Sequence, residues 1–330
     1  MSNFWSGQKV VVTGGSGFVG SHLVEQLVAK NAKVTVVDCS AEEKCLNLSA
    51  VRDQISFVRT DLSELDQAVK AFRGQDILLH LAAKVAGVAV NQARPASMLY
   101  GNSVLNLSAL EAARLAGIQK VELVSTACVY PRDCTIPTPE SEGFKDDPDP
   151  SNLGYGWSKR FAEVQARLYV LEYGMEIGVV RPYNTYGPRD HFDLKTSHVI
   201  PALIRRVLEG EDPVVVWGDG TASRSFLYVE DFARGVLEAT ERYRQPDPVN
   251  LGTTEEITIQ SLVELIVRLS DRKPKITFDS SKPSGQPRRN CDVAKAKEKV
   301  GFEAKVSLEE GIQKTIAWCQ QHKERVLEKS

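Results

Sequence analysis

The segment TGGSGFVG, at residues 13–20, follows directly on the apolar run KVVV and precedes a stretch with helical character. Gly14, Gly17 and Gly20 would permit a tight turn, close approach of the backbone to a pyrophosphate, and close packing of the helix on the strand. The N–H groups and the dipole at the start of such a helix favour phosphate. A plain tight turn also explains glycines, but the strand–loop–helix order predicts a dinucleotide-binding loop.

Short runs of β-branched residues alternate with helix-length segments through the first half of the chain. This spacing predicts right-handed βαβ units, and therefore an α/β fold built on a doubly wound parallel Rossmann sheet. Beyond Tyr183 the pattern changes, because a polar segment at 187–196 is followed by helices and short strands. We expect this part to form a smaller, discontinuous α/β lobe. The predicted strands of the sheet are 9–14, 33–38, 56–61, 77–82, 121–126 and 175–182.

The chain has 41 Lys and Arg residues against 43 Asp and Glu, a formal net charge of −2. That balance gives no reason to expect nucleic acid or an anionic membrane as a partner. No apolar run approaches the roughly 20 residues that span a bilayer, and the N-terminal MSNFWSGQ does not resemble an export signal. The six cysteines lack metal-ligand spacing, so we expect reduced thiols, no metal site and a cytoplasmic protein.

Two acidic residues end predicted strands. Asp38 ends the second strand, and a carboxylate there can accept hydrogen bonds from the hydroxyls of an adenine ribose while repelling a 2′-phosphate. This favours NAD over NADP, although a simple cap of the strand end is an alternative. Asp61 ends the third strand and could contact the adenine edge, with a helix N-cap as the alternative.

Tyr155 and Lys159, in YGWSK, lie four positions apart on a predicted helix and therefore share one face. A tyrosine with an ordinary pKa of about 10 acts as a base near neutrality only when positive charge stabilises its phenolate. The lysine ammonium supplies that charge. Such a pair also arises by chance on solvated helices. However, Thr126, at the end of the fifth strand, is placed to hydrogen-bond the same substrate oxygen as Tyr155.

These motifs together resemble the extended short-chain dehydrogenase/reductase family, also called the NAD-dependent epimerase/dehydratase family. TGGSGFVG, HLAA at 80–83, Thr126 and YGWSK carry the resemblance, which extends along nearly the whole chain. It implies a Rossmann domain, a nucleotide-sugar-binding lobe and a homodimer formed through a helix bundle. We expect the NAD-binding domain at 1–182 plus about 225–255, and the lobe at about 183–224 plus 256–330.

The resemblance also implies cofactor contacts outside the glycine-rich loop and the Tyr155–Lys159 pair. They fall at strand ends and at the start of two helices. The residues expected to contact the cofactor are Phe18, Val19, Asp38, Asp61, Leu62, Leu81, Ala82, Ala83, Asn102 and Pro182.

Four longer segments are similar to one subgroup of the family, the GDP-L-fucose synthases and the related GDP-mannose 3,5-epimerases. They are STACVYP, TSHVIPALIRR, VVVWGDGTASRSFLYV and DSSKPSGQPRR. The resemblance implies that Cys128 exchanges a proton beside a sugar ketone and that His198 is its partner acid. Each residue alone has a simpler interpretation, since cysteine is commonly buried and a lone histidine is usually structural.

The same segments imply a site for the nucleotide diphosphate and the sugar. Arginine forks suit a diphosphate and tryptophan suits a ring face, although Trp217 could instead belong to the core. The residues expected to bind substrate are Lys84, Asn184, His198, Val199, Arg205, Trp217, Arg224, Lys282 and Arg288.

These residues predict a reaction beside a carbonyl at sugar C4, where a hydrogen on the adjacent carbon becomes acidic. Thr126 and Tyr155 would stabilise the enolate oxygen. Cys128 would remove the proton from one face and His198 would return one to the other, inverting C3, C5 or both. We therefore expect an NAD-dependent nucleotide-sugar epimerase that acts on a GDP-hexose.

Three alternatives stay open. The motif around His198 favours an epimerase that also reduces a GDP-4-keto-6-deoxyhexose with NADPH, whereas Asp38 favours NAD. A C4 epimerase of UDP-sugars would use Tyr155 and NAD and would leave Cys128 without a role. A nucleotide-sensing protein without catalysis is disfavoured because the Tyr155–Lys159 pair is present.

Overall fold

The computed structural model describes residues 3–194, 196–281 and 286–327. Lys282, which the resemblance assigns to substrate binding, lies outside the described residues. The described strands are β1 (Lys9–Thr13), β2 (Lys33–Asp38), β3 (Ile55–Arg59), β4 (Ile77–His80), β5 (Lys120–Val124), β6 (Glu176–Pro182), β7 (Thr185–Tyr186), β8 (Val214–Trp217), β9 (Ser223–Ser225), β10 (Leu227–Tyr228), β11 (Val249–Leu251), β12 (Glu256–Thr258), β13 (Ile276–Asp279) and β14 (Arg288–Arg289). The described helices are α1 (Phe18–Ala29), α2 (Leu65–Phe72), α3 (Val88–Ala93), α4 (Pro95–Leu115), α5 (Leu153–Tyr173), α6 (Val199–Glu209), α7 (Val229–Arg242), α8 (Ile259–Leu269), α9 (Leu308–Gln321) and α10 (Lys323–Leu327).

Within the described residues, seven strands form one parallel sheet in the order β11, β6, β5, β4, β1, β2, β3. The strand order reverses between β1 and β4, which confirms the predicted doubly wound Rossmann fold. Each of the six predicted strands is present within two residues of its expected bounds. The predicted strand ends at 81–82 and 125–126 are instead loops at the carboxyl edge, where such sheets bind ligands.

Alternate residues of β1 face two separate cores. Val10 and Val12 pack in the core that contains α1 and α7, whereas Val11 packs in the core that contains α2, α4 and α5. All three valines are fully buried. Because both faces of the strand are covered, every position is apolar, and this explains the continuous run KVVV.

A third core gathers α6, α8 and α9 around β8 and forms the centre of the lobe. The packing departs from the expected division at one place. Ala296, Val300 and Phe302, expected in the lobe, lie with α7 in a core of the large sheet. Among the described helices, none is both long enough and apolar enough to cross a membrane.

Candidate active site

The glycine-rich loop has a backbone that a bound pyrophosphate could approach closely. Gly14 has φ +67°, in the left-handed region, and a Cβ there would lie 3.0 Å from Ala82 Cα. At Gly20 a Cβ would lie 2.2 Å from the Gly14 carbonyl oxygen, so only glycine allows α1 to pack on the loop. Gly17 is the N-cap of α1. This arrangement fits a dinucleotide whose phosphates lie at the helix N-terminus.

Asp38 is held beside this loop by Ser16. Oδ2 of Asp38 accepts hydrogen bonds from the Ser16 hydroxyl at 2.6 Å and from the Ser16 N–H at 3.3 Å. Oδ1 accepts one from the Ser40 N–H at 3.1 Å, and Asn47 Nδ2 donates to the Ser16 carbonyl at 3.0 Å. The carboxylate therefore lies next to the phosphate loop, as the adjoining ribose of a dinucleotide would require.

The other residues expected around the cofactor lie at the same edge of the sheet. The Asp61 carboxylate accepts hydrogen bonds from the N–H and hydroxyl of Ser63, which lower the pKa of Asp61 and order the turn before α2. Leu62 is buried in the core next to it. Each of the expected residues lies either at the start of α1 or at or just after the end of a strand. They are Phe18, Val19, Asp61, Leu62, Leu81, Ala82, Ala83 and Pro182.

A buried chain of hydrogen bonds joins β1 to α5. The Thr13 hydroxyl lies 2.8 Å from His80 Nδ1, and His80 Nε2 lies 3.1 Å from Asn106 Oδ1. Asn106 Nδ2 donates to the Ser158 carbonyl at 3.4 Å. Burial, and then the charge of Lys159, lower the pKa of His80 to about 3, so its ring is neutral. The HLAA motif contains this histidine, but its role was not predicted.

Asn102 fixes the loop that follows β4. Its Oδ1 accepts from the Lys84 N–H at 2.8 Å, and its Nδ2 donates to the carbonyls of Lys84 and Met98 at 3.1 and 3.0 Å. Asn102 is buried, so its amide holds the backbone in place, while the Lys84 side chain is exposed.

Thr126 and Cys128 follow β5 at the carboxyl edge. The Thr126 hydroxyl accepts from the Cys128 N–H at 3.2 Å and caps a 3₁₀ turn over Ala127–Val129. From α5, Arg160 donates to the Val129 carbonyl at 2.9 and 2.7 Å, a contact that was not predicted. Cys128 is half-buried, and its turn is held from both ends.

Tyr155 and Lys159 lie on α5 behind this turn. Lys159 Nζ donates to the Val124 carbonyl at 2.9 Å, and burial lowers the pKa of Lys159 to about 8, while Glu163 opposes the shift. Burial, and then the charge of Cys128, raise the pKa of Tyr155, which is opposite to the shift that a base near neutrality would need. Tyr155 is therefore a neutral phenol near Cys128, able to donate a hydrogen bond.

A buried ion pair between β6 and α5 stabilises the part of the fold that carries Tyr155 and Lys159. Arg181 on β6 and Glu163 on α5 approach to 2.6 Å, and both side chains are almost completely buried. The Ser125 hydroxyl donates to Glu163 at 2.5 Å. The end of β5 is thus tied to α5 and β6.

His198 is the N-cap of α6, directly before Val199, and it is exposed. The surrounding protein displaces water and lowers the pKa of His198, and the positive charges of His191 and Arg289 act in the same direction. The imidazole is therefore neutral at neutral pH.

Arg289 lies beside these groups and was not predicted to bind substrate. It lines one cavity together with Cys128 and Tyr183. Its charge lowers the pKa values of His198 and Arg224. The sequence QPRRN contains two adjacent arginines, and both line this cavity.

Two expected substrate-binding arginines contact residues of the lobe. Arg288 Nε and Nη2 donate to the carboxylate of Glu256 at 2.8 and 2.9 Å. Arg205 is buried and donates to Glu209 at 2.9 Å and to the Phe192 carbonyl at 3.0 Å. A diphosphate would have to compete with these partners.

Three other expected substrate-binding residues have different surroundings. The Trp217 side chain is 56% exposed at the end of β8, so it is not part of the core. Burial, and then the charge of Arg289, lower the pKa of Arg224 to about 10. Asn184, with φ 31°, donates to the Ser225 carbonyl at 2.8 Å. The exposed indole of Trp217 suits contact with a ring face. The neighbouring guanidiniums of Arg224 and Arg289 suit an anion.

Comparison with known proteins gives consistent matches. The profile of the NAD dependent epimerase/dehydratase family matches residues 10–252. A dTDP-4-dehydro-6-deoxy-D-allose reductase from a Streptomyces species is 31% identical over 97% of this chain and 98% of its own. The GDP-L-fucose synthase of Escherichia coli K12 is 32% identical over 97% of this chain and 99% of its own. The crystal structure of UDP-glucose 4-epimerase from Thermotoga maritima with UDP-glucose has a TM-score of 0.84 and 31% identity, covering 94% of this chain and 98% of that one.

The family profile spans most of the Rossmann sheet, from Val10 in β1 to Gly252 just after β11. The relatives named above are reductases, synthases and epimerases that act on nucleotide sugars. The glycine-rich loop, Asp38 and the Tyr155–Lys159 helix agree with that assignment. The chain is therefore an enzyme of the extended short-chain dehydrogenase/reductase class and belongs to the NAD dependent epimerase/dehydratase family.

Proposed function

We propose that this protein is an NAD-dependent nucleotide-sugar epimerase that passes through a C4-keto intermediate and inverts C3, C5 or both. One observation carries the proposal. Thr126 and Cys128 share the turn that follows β5, and Tyr155 on α5 is close enough for the charge of Cys128 to raise its pKa. The substrate we propose is a GDP-hexose, on the similarity to GDP-L-fucose synthase.

The chain's own residues would hold the cofactor. Gly14, Gly17 and Gly20 would accommodate the pyrophosphate, and Asp38 would accept hydrogen bonds from the adenine ribose. When bound, NAD supplies the reversible oxidation at sugar C4 that creates the carbonyl.

Thr126 and Tyr155 would hold the oxygen on sugar C4. The raised pKa of Tyr155 keeps its hydroxyl protonated, so it can donate a hydrogen bond to the enolate oxygen. Lys159 is charged below pH about 8 and adds positive charge behind the site. Both effects stabilise the enolate relative to the ketone.

Cys128 and His198 would exchange the protons. Because the lowered pKa of His198 leaves a neutral imidazole, we propose that His198 accepts the first proton, opposite to the direction expected from the resemblance. The C–H electron pair enters the enolate, and the Cys128 thiol gives its proton to the other face. A second inversion in the reverse direction returns both groups to their starting forms.

A second candidate is an epimerase that also reduces its 4-keto sugar with NADPH. Besides the similarity to GDP-L-fucose synthase, one contact supports it. Arg59 lies beside Asp38 in the register of β2 and β3, and its Nε donates to the Cys39 carbonyl at 3.2 Å. A guanidinium at this strand end could neutralise a 2′-phosphate.

The first experiment identifies the nucleotide that is released when the purified protein is denatured. Tightly held NAD supports the epimerase, whereas an empty site that binds NADPH tightly supports the second candidate. The second experiment incubates GDP- and UDP-sugars with the enzyme in deuterated water and locates deuterium by NMR.

Deuterium at an inverted C3 or C5 supports the proposed proton exchange if that inverted, labelled product is lost in Cys128→Ser. Cys134→Ser is the matched control, because Cys134 lines the same cavity and has no proposed role. Inversion at C4 without deuterium would contradict the mechanism and identify a simple C4 epimerase. Net consumption of NADPH would identify the epimerase/reductase.

A further inference from the structure

The turn that carries Cys128 packs against α5. Lys159 Nζ on this helix donates to the carbonyl of Val124, four residues before Cys128, at 2.9 Å. A Cβ at Gly156 would lie 2.4 Å from the Cys128 carbonyl oxygen, so the backbone of Cys128 lies directly on the helix. Tyr155 belongs to the same helix. The position of the Cys128 sulfur relative to Tyr155 therefore depends on how α5 holds this turn.

Arg160 on α5 holds the far end of the turn. Its Nε and Nη2 both donate to the carbonyl of Val129, the residue after Cys128, at 2.9 and 2.7 Å. Nη2 also donates to the carbonyl of Asp146. The arginine is buried, and a guanidinium presents its N–H groups as a rigid fork. Two bonds from one fork fix the direction of the Val129 carbonyl as well as its distance from the helix.

Two aromatic rings orient the guanidinium of Arg160. Its central carbon lies 4.9 Å from the centre of the Trp157 ring and 5.4 Å from the centre of the Phe144 ring. A guanidinium over an aromatic face gains cation–π attraction. These contacts favour the orientation in which the side chain reaches Val129.

The bonds of Arg160 differ in kind from those of Arg181, a second buried arginine near the turn. Arg181 is paired with the carboxylate of Glu163 at 2.6 Å, so its charge is neutralised within the fold. The Arg160 bonds described above go to main-chain carbonyls. An arginine bonded in this way determines the shape of the backbone.

We propose that Arg160 is a positioning residue for Cys128: by fixing the Val129 carbonyl, it holds the turn in the shape that keeps the sulfur within reach of the sugar carbon. The inference rests on the proposed function. A proton donor must lie within hydrogen-bond reach of the atom it serves, and a displacement of about 1 Å can cost about a hundredfold in rate. Lys159 anchors the chain before the turn and Arg160 anchors it after the turn. Loss of Arg160 should therefore displace Cys128 while Tyr155 stays in place.

The first test measures hydrogen–deuterium exchange of the purified full chain by mass spectrometry of its peptides. Within the turn, the Cys128 N–H donates to Thr126 Oγ1 at 3.2 Å and the Tyr130 N–H donates to the Ala127 carbonyl at 3.2 Å. In Arg160→Met we expect the amides at 126–130 to exchange at least about tenfold faster, because the turn opens locally. Peptides that cover β6 should exchange as in the unchanged protein.

The second test measures how fast solvent deuterium enters an inverted C3 or C5 of the sugar. We expect Arg160→Met to lower kcat for this labelling roughly a hundredfold and to leave KM nearly unchanged, because the proton donor is displaced while substrate binding is kept. Arg160→Lys keeps the charge but replaces the fork with one ammonium, so it should restore part of the rate.

Arg167→Met is the matched control for both tests. Arg167 lies on the same helix, is exposed, and has its guanidinium carbon 5.0 Å from the centre of the same Phe144 ring. This variant should behave as the unchanged protein does. Equal effects in Arg167→Met and Arg160→Met would overturn the proposal, and so would normal exchange at 126–130 in Arg160→Met. A higher KM with an unchanged kcat would overturn it too, because the arginine would then act on binding.

If Arg160→Met does not fold, which circular dichroism would show, Arg160→Lys decides the question. Slower labelling together with faster exchange at 126–130 supports the proposal, and labelling at the full rate contradicts it. Failure of the proposed function is distinguishable, since the unchanged protein would then produce no sugar that is inverted and labelled at C3 or C5. If the unchanged protein labels its product and Arg160→Met loosens the turn without slowing the labelling, only the role of Arg160 is wrong.

Discussion

The Ser16 hydroxyl donates a hydrogen bond of 2.6 Å to Oδ2 of Asp38. This bond connects the glycine-rich loop to the carboxylate that we expect to bind the adenine ribose. We predict that Asp38→Ala weakens NAD binding by roughly ten- to a hundredfold, because a hydrogen bond to a charged group contributes about 1.5–3 kcal/mol. The same change should improve NADP binding, because it removes a charge that repels the 2′-phosphate. Isothermal titration with both cofactors measures the two effects.

Asp53→Asn is the control for this prediction, since Asp53 is an exposed carboxylate away from the loop. It should bind both cofactors as the unchanged protein does. If Asp38→Ala binds NAD normally, the carboxylate does not contact the ribose, and the preference for NAD loses its basis.

The pH dependence of proton exchange should report on His198. The surrounding protein, and then His191 and Arg289, lower its pKa from 6.5, so the base form is lost only when the pH falls through the lowered value. We predict that the acidic limb of deuterium incorporation lies below pH 6.5. His191→Gln removes one positive neighbour and should move that limb to higher pH. A limb at or above pH 6.5 in the unchanged protein would contradict His198 as the acceptor.

The fold was predicted well from the sequence because the pattern of apolar residues depends on which side chains are buried. The run around Val10–Val12 is apolar throughout since both faces of β1 are covered, and Gly20 is required because a Cβ would collide with the loop. Such constraints are local and can be recognised in a single sequence. The packing of Phe302 with α7 was not predicted, because it is a contact between residues far apart along the chain.

The site was harder to predict, because side-chain partners depend on tertiary contacts. Arg205, which was expected at a diphosphate, donates to Glu209 and to the Phe192 carbonyl, contacts that the sequence did not indicate. Arg288 was expected at the substrate; it is paired with Glu256, and it lines the same cavity as Cys128 and Arg289. No spacing rule distinguishes two adjacent arginines until the pairing of their strand is known.

Glu122 on β5 is a fully buried carboxyl group whose two oxygens have no hydrogen-bond partner among the described residues. Thr240 is close, but its hydroxyl donates to the Val236 carbonyl. Burial raises the pKa of Glu122 well above 4.5, with Thr240 and Arg244 opposing the shift. The folded protein therefore keeps this group protonated at pH values where the unfolded chain ionises it.

We predict that Glu122→Met stabilises the protein more at pH 8 than at pH 5. Stability from a protonated Glu122 is fully present below pH about 4.5 and declines above it, so the difference should reach about 1–3 kcal/mol. Urea unfolding at pH 5, 6.5 and 8 measures it. Exposed Glu43→Gln should leave the pH dependence unchanged. Equal effects of Glu122→Met at all three pH values would mean that Glu122 does not titrate in this range.

Helices α4 and α5 pack against each other and leave apolar side chains on their outer faces. Tyr100 and Leu107 on α4 are 74% and 38% exposed, and Phe161 and Leu168 on α5 are 48% and 53% exposed. Each pair is seven residues apart, so each lies on one face of its helix. Several exposed apolar side chains on two packed helices are typical of a protein–protein interface, and the family resemblance implies a second copy of the chain as the partner.

We predict that Leu107→Glu combined with Leu168→Glu converts a dimer into a monomer. Two carboxylates on this surface would face apolar groups of the second copy and would have to be buried without partners. Light scattering coupled to size-exclusion chromatography measures the mass directly. Leu46→Glu is the matched control, because Leu46 is 55% exposed on a 3₁₀ turn away from both helices. If the double variant keeps the mass of the unchanged dimer, or if the unchanged protein is already a monomer, the α4–α5 surface does not join two copies. A monomeric double variant that still releases NAD on denaturation would show that the cofactor site forms within one chain.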